Sequence, residues 1–162
     1  MTTANASTQT LKLRVARTFD APRERVFQAW TDPALLKKWF RPDDSFTTLL
    51  TKVDLRVGGK YRLQMRRPDG DFHTCVGTYR EVKAPERLVF TWQWEKDGGE
   101  PDFGEVEPEQ MLITLEFHTR GKQTEVILTQ ENFASVESRD RHEHGWNSCF
   151  GQFAKFIEAK TA

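Results

Sequence analysis

The stretch from Val136 to Lys160 constrains this chain more than any other. Its apolar residues Trp146, Cys149, Phe150, Phe153, Phe156 and Ile157 recur at spacings of three and four, which places them on one side of a helix. Arg139, Arg141, Glu143, Lys155 and Glu158 fall mostly elsewhere. At 1.5 Å per residue, some 22 residues make a rod of about 33 Å, long enough to cross a small domain. Each large side chain buried along it contributes roughly 1.5–3 kcal/mol. Such a helix requires a broad apolar surface to lie on.

The preceding sequence reads as that surface. Residues 11–19 alternate, with Leu11, Leu13, Val15 and Phe19 against Lys12, Arg14 and Thr18, as a half-buried strand does. Pro22 suits the start of a short helix whose apolar face is Val26, Phe27 and Trp30. Asp32 is placed to cap a second, with Pro33 at its first position and Leu35, Leu36, Trp39 and Phe40 as its apolar residues.

From about Phe46 the period changes to two. Leu49, Val53, Leu55 and Val57 lead to a turn at Gly58-Gly59, and Tyr61, Leu63 and Met65 continue beyond it. Further strands follow over Phe72–Val82, over Leu88, Phe90, Trp92 and Trp94, over Met111–Phe117, and over Thr124–Gln130. Pro68-Asp69-Gly70, Ala84-Pro85-Glu86 and Arg120-Gly121-Lys122 supply the turns. The order is one strand, two helices, six strands and a long helix. It predicts an α+β helix-grip fold, a curved antiparallel β-sheet wrapped around the long C-terminal helix.

A length of 162 residues fits one domain, expected over 10–162 behind a disordered leader at 1–9. Lys plus Arg and Asp plus Glu balance at 24 each, so no basic footprint points to nucleic acid or an anionic membrane. The N-terminus lacks the basic-then-apolar pattern of a secretory signal, and no apolar run reaches membrane-spanning length. With two separated cysteines and no zinc spacing, the expected setting is reduced and cytoplasmic. In that setting the Asn5-Ala6-Ser7 sequon has no role.

His142 and His144 stand at i and i+2, about 200° apart on a helix, so they cannot share a metal; His142 is expected in a solvated first turn near Trp146. Cys149 lies on the apolar stripe and Cys75 in a strand with His73 on the same face, but no orienting third group accompanies them. Asp43-Asp44 and Asp69/Asp71 read as turn residues. Gly58-Gly59 lacks a phosphate-loop frame. Lys52, Arg56, Lys60, Arg62, Arg66 and Arg67 form a basic hairpin face. The segment 95–109 carries seven acidic residues and the lone aromatic Phe103, as a solvated hairpin tip or a lid. Gly145 inside the long helix is read as room for a strand to approach closely. No catalytic constellation, metal or cofactor is implied.

Five motifs, VFQAWTDPALLKKWF, VDLRVGGKYRLQM, GTYREVKAPERLVFTWQWE, ITLEFHTRGKQTEVILTQENF and HGWNSCFGQFAKFIEA, together resemble the family related to the C-terminal domain of the activator of heat-shock protein 90 ATPase. That family belongs to the START-like (SRPBCC) superfamily of helix-grip folds. The resemblance implies a noncatalytic module that holds a mostly apolar small molecule, lipid-like or aromatic, between sheet and helix. Its alternatives are an accessory role toward the heat-shock protein 90 chaperone and a cyclase- or hydrolase-like enzyme. The expected cavity draws on Trp39 and Phe40 from the second short helix, and on Met65 and Tyr79 from the early strands. Phe90, Trp92 and Trp94 come next, then Met111 and Phe117, with Trp146, Phe150 and Phe153 from the long helix. A core collapsed onto these same residues is the competing arrangement.

Overall fold

The computed structural model describes residues 11–94, 111–133 and 135–159. Strand β1 (Leu11–Phe19) is followed by two short helices, α1 (Arg23–Thr31) and α2 (Pro33–Trp39). Then come β2 (Thr47–Val53), β3 (Lys60–Arg66), β4 (Phe72–Lys83), β5 (Arg87–Thr91), β6 (Gln93–Trp94), β7 (Leu112–Arg120) and β8 (Gln123–Phe133). The long helix α3 (Val136–Ile157) ends the described chain. All pairings are antiparallel, in the order β1-β8-β7-β5-β4-β3-β2, with β6 also on β4. The α+β helix-grip arrangement predicted from the periodicity is the one observed.

Local chemistry explains the boundaries. The Asp32 carboxylate accepts from the Ala34 N–H at 2.8 Å, with Pro33 at the first helical position, where its missing N–H costs nothing. Ser135 caps α3 in the same way through Ser138 N–H, at 3.1 Å. Strand β2 ends at Val53, earlier than the alternation suggests. Leu55 and Val57 lie in the following turn and are exposed, at 38% and 67%. That turn docks on β4, where Gly58 N–H donates to the Tyr79 carbonyl and Tyr79 N–H to the Gly59 carbonyl. Gly58 holds φ +86°, and a Cβ on Gly59 would lie 2.0 Å from the Asp54 oxygen, so both glycines are required there.

The strand expected over Leu88–Trp94 is interrupted. The register of β5 on β4 shifts by one residue between Tyr79 and Glu81; the Tyr79↔Phe90 end is in register with Val76↔Gln93 of β6, but between the two the ladder opens. The Tyr61 hydroxyl donates to the Thr91 carbonyl, and Thr91 Oγ1 accepts from Thr78 N–H. Gly77 sits opposite, where a Cβ would lie 2.0 Å from the Thr91 oxygen. The break leaves Trp92 between the two segments.

The C-terminal half of α3 is packed hard against the rest. Phe153 meets Phe19 of β1 at 4.8 Å and Trp39 of α2 at 4.6 Å between ring centroids, and Phe150 meets Trp30 of α1 at 5.9 Å. These are edge-on and tilted contacts, the geometry aromatic quadrupoles favour. Trp39 donates its Nε1–H to the Ala29 carbonyl, which ties the two short helices together.

Candidate functional site

Towards its N-terminal half, α3 parts from this packed cluster. A hollow of about 180 Å³ opens between Gly145, Trp146 and Cys149 of α3, Trp92 and Trp94 of the sheet, and the Phe40–Pro42 corner after α2. Met65, His73 and Phe46 complete the sheet side, and Arg141 and His142 the upper helix side. Ring contacts knit this wall together. His73 stacks on Trp94 at 3.9 Å, Trp94 meets Trp92 at 5.3 Å, and Trp92 meets Trp146 at 5.2 Å.

Hydrogen bonds fix the rings. Trp146 donates its indole N–H to Gln130 Oε1 at 2.7 Å, and the Gln130 amide nitrogen reaches Met111 Sδ at 3.5 Å. Gln130 is fully buried on β8, so this pairing satisfies two polar groups inside the core. Trp94 donates its indole N–H to His142 Nε2 at 3.2 Å, while His142 Nδ1 lies 2.9 Å from the Ser138 carbonyl. That network assigns the neutral tautomer with the proton on Nδ1. Burial pushes the imidazole pKa down to about 4, helped by the neighbouring Arg141 charge and opposed by the Ser138 bond. His142 is therefore not in a solvated turn. It lies on the buried face of α3 at 5% exposure, four residues before Trp146, while His144 faces out.

Of the residues expected to form the cavity, Phe40, Met65, Trp92, Trp94 and Trp146 line this hollow. Tyr79 and Phe90 border a smaller inner void of about 30 Å³, which shares Phe40, Trp92 and Trp146 with it. Trp39, Phe150 and Phe153 lie instead in the packed aromatic cluster. Phe117 packs on Phe27 at 5.2 Å, and Met111 is buried against Gln130. Period alone placed all twelve on inward faces. It could not show where the helix lifts away from the sheet.

Phe46, Arg41, Pro42 and Arg141 also belong to the wall, with no sequence signal to mark them: Arg41 and Pro42 belong to no periodic segment, Phe46 stands at the start of one, and Arg141 is exposed. Cys149, expected as a packing residue, and Gly145 line the hollow as well. The expected close approach of a strand to Gly145 is absent: a Cβ there would meet nothing within 4 Å, because the glycine faces the hollow.

Burial raises the Cys149 thiol to about 12, so it stays protonated at neutral pH. Cys75 is fully buried and outside the lining, although His73, two residues earlier, borders it. Among the described residues no group of His, Cys, Asp and Glu is arranged to hold a metal, and no helix is long and apolar enough to cross a membrane. The expectations for segment 95–109, Phe103 included, and for the leader lie outside the described residues. On the opposite face of the sheet Lys52, Lys60 and Arg62 border a more polar groove of about 290 Å³.

A curved antiparallel sheet gripping a long helix, with an apolar hollow where the two separate, defines the helix-grip class of α+β domains. Solved structures share this shape over nearly their whole length. A protein from Chromobacterium violaceum superposes with a TM-score of 0.78 at 25% identity, covering 92% of this chain and 98% of its own. One from Nitrosomonas europaea gives 0.72 at 26%, covering 91% and 94%. The AHSA1-like protein from Aeromonas hydrophila gives 0.74 at 25%, covering 91% and 92%. The chain belongs to the Activator of Hsp90 ATPase homolog 1-like family, which it matches over residues 20–158. No curated protein matches it.

Proposed function

We propose that the protein is a noncatalytic binding module that holds a compact, mostly apolar molecule in the hollow beneath the N-terminal half of α3. One observation carries this reading. In a core whose other aromatic contacts are close, a space of about 180 Å³ walled by Trp92, Trp94, Trp146, Met65 and Phe40 is left unfilled. A well-packed interior loses dispersion and transfer energy at such a space, so an occupant that fills it regains both. A cavity of about 150 Å³ lined by aliphatic and aromatic groups takes up a single benzene ring. The protonated thiol of Cys149 and the neutral His142, both of whose ring nitrogens are engaged, offer no nucleophile or free base to such an occupant. The basic groove on the opposite face is where a charged partner would sit if the chain acted as a chaperone accessory. Its three cations suit many acidic surfaces, so the apolar hollow carries the conclusion.

Thermal unfolding of the pure protein with single-ring aromatic compounds, paired with native mass spectrometry, tests this. A ligand present at 100 times its Kd raises stability by about 2.7 kcal/mol. Gly145→Leu, which projects a side chain into the hollow, should abolish that gain while the free protein still folds. Equal ligand stabilisation in the Gly145→Leu protein would sink the proposal.

A further inference from the structure

The polar groups of the hollow are unequal in a way that specifies one end of its occupant. Four indoles stand close to the hollow or its inner void, and two of them are satisfied by the protein: Trp94 by His142 and Trp146 by Gln130. Trp92 is different. It is 4% exposed, it lines the hollow, and among the described residues no acceptor reaches its buried Nε1–H. A buried donor left unmade is costly, and an acceptor delivered by a ligand removes that cost. Trp30, for which no acceptor stands among the described residues either, borders the inner void and not the hollow, and that void has space for about one water.

The charges agree with this. Among the described residues, Arg41 and Arg141 are the charged side chains in the wall, and no Asp or Glu lines it. Arg41 donates Nε–H to Thr48 Oγ1 at 3.3 Å and an Nη2–H to the Lys37 carbonyl at 3.0 Å, both neutral acceptors, so its charge is not neutralised by those contacts. Asp44 is a carboxylate that feels Arg41. It is an exposed group committed to Gln152 at 2.8 Å and Lys155 at 3.5 Å, and Arg41 is the weakest influence holding it below the usual range. His142 spends its acceptor on Trp94 and its donor on Ser138, and so offers nothing to a cation. The hollow thus presents donors and positive charge to an otherwise apolar guest.

We infer that the natural ligand class is a single-ring aromatic carboxylate, with the ring against Trp146 and Met65 and the carboxylate accepting from Trp92 Nε1 and facing the Arg41 guanidinium. This rests on the hollow being the ligand site. The space of about 180 Å³ suits one ring and a short substituent, and lies below the roughly 300 Å³ and above typical of pockets for drug-sized ligands. A carboxylate oxygen accepts in several directions, so one group can satisfy an indole and a guanidinium together.

Three probes of similar size settle the matter by calorimetry at pH 7.5: benzoate, toluene and benzylamine. The expected order is benzoate at least tenfold tighter than toluene, with benzylamine weakest. Trp92→Phe keeps the ring and removes the donor, and should weaken benzoate about tenfold while leaving toluene unchanged. Arg41→Gln should act in the same direction. Toluene binding as tightly as benzoate, with both lost in Gly145→Leu, would overturn the carboxylate and leave the apolar site standing. Binding of none of the three would overturn both. Undiminished benzoate preference in a folded Trp92→Phe protein would show that the indole finds its acceptor elsewhere, such as a water in the inner void, and would remove Trp92 from the inference.

Discussion

His142 shows how one side chain couples the site to solution conditions. Its folded pKa, about 4, lies below the ordinary histidine value of 6.5 because burial disfavours the imidazolium. Between those values the unfolded chain binds a proton that the folded chain refuses, so stability is full above about pH 7 and falls as the pH is lowered. The expected loss between pH 7.5 and 5 is about 2 kcal/mol. Protonation would also remove the acceptor for Trp94 and weaken the wall of the hollow. Urea unfolding at the two pH values, compared with His142→Gln, measures this. The substituted protein should lose most of the slope, and an unchanged slope would show that other groups carry it. Part of this role was legible beforehand, since Ser138, His142, Trp146 and Cys149 continue the three-and-four spacing of the apolar stripe. The polarity of serine and histidine concealed the continuation, because a buried imidazole depends on partners that only the folded chain brings near.

Two glycines in regular elements have opposite meanings, and the elements explain the difference. On β4, Gly77 lets the Tyr61 ring and the Thr91 carbonyl cross the strand where β5 gives way to β6. A methyl there meets backbone that cannot yield, so Gly77→Ala should cost about 4 kcal/mol or more. On α3, Gly145 faces open space, and alanine is about 1 kcal/mol better in a helix interior. Gly145→Ala should therefore stabilise the free protein by roughly that amount. Chemical denaturation of both proteins checks the pair, and the account fails if the two changes shift stability in the same direction. The sequence signals for strand and helix were strong at both places. Neither showed the ladder break or the lifted helix, because each depends on a second element crossing the first. The early end of β2 has a similar cause: alternation runs on through Leu55 and Val57, but the Gly58-Gly59 turn is anchored to Tyr79 and pulls those residues into solvent.

At the level of the molecule, the sheet's inner face and α3 complete one another. Phe19, Trp30 and Trp39 have Phe150 and Phe153 as their cover, and Trp92 has Trp146. A chain ending after Phe133 would lack that cover. It should show no cooperative unfolding transition and should bind hydrophobic dyes; a sharp transition in such a chain would mean that the sheet stands alone. This dependence of sheet on helix was plain in the sequence, since an aromatic stripe of that width demands a matching surface. The pairing of the first strand with the last was not, because antiparallel register between distant segments leaves no periodic mark. Yet β1 lies along β8, from Phe19↔Thr124 to Leu11↔Phe133. During synthesis, therefore, the first strand leaves the ribosome with no partner to join. At 5–20 residues per second it waits roughly 5 to 20 seconds for β8 to be made. The sheet closes only once β8 has been made, and a ribosome stalled before that point would hold an unpaired apolar strand in the open.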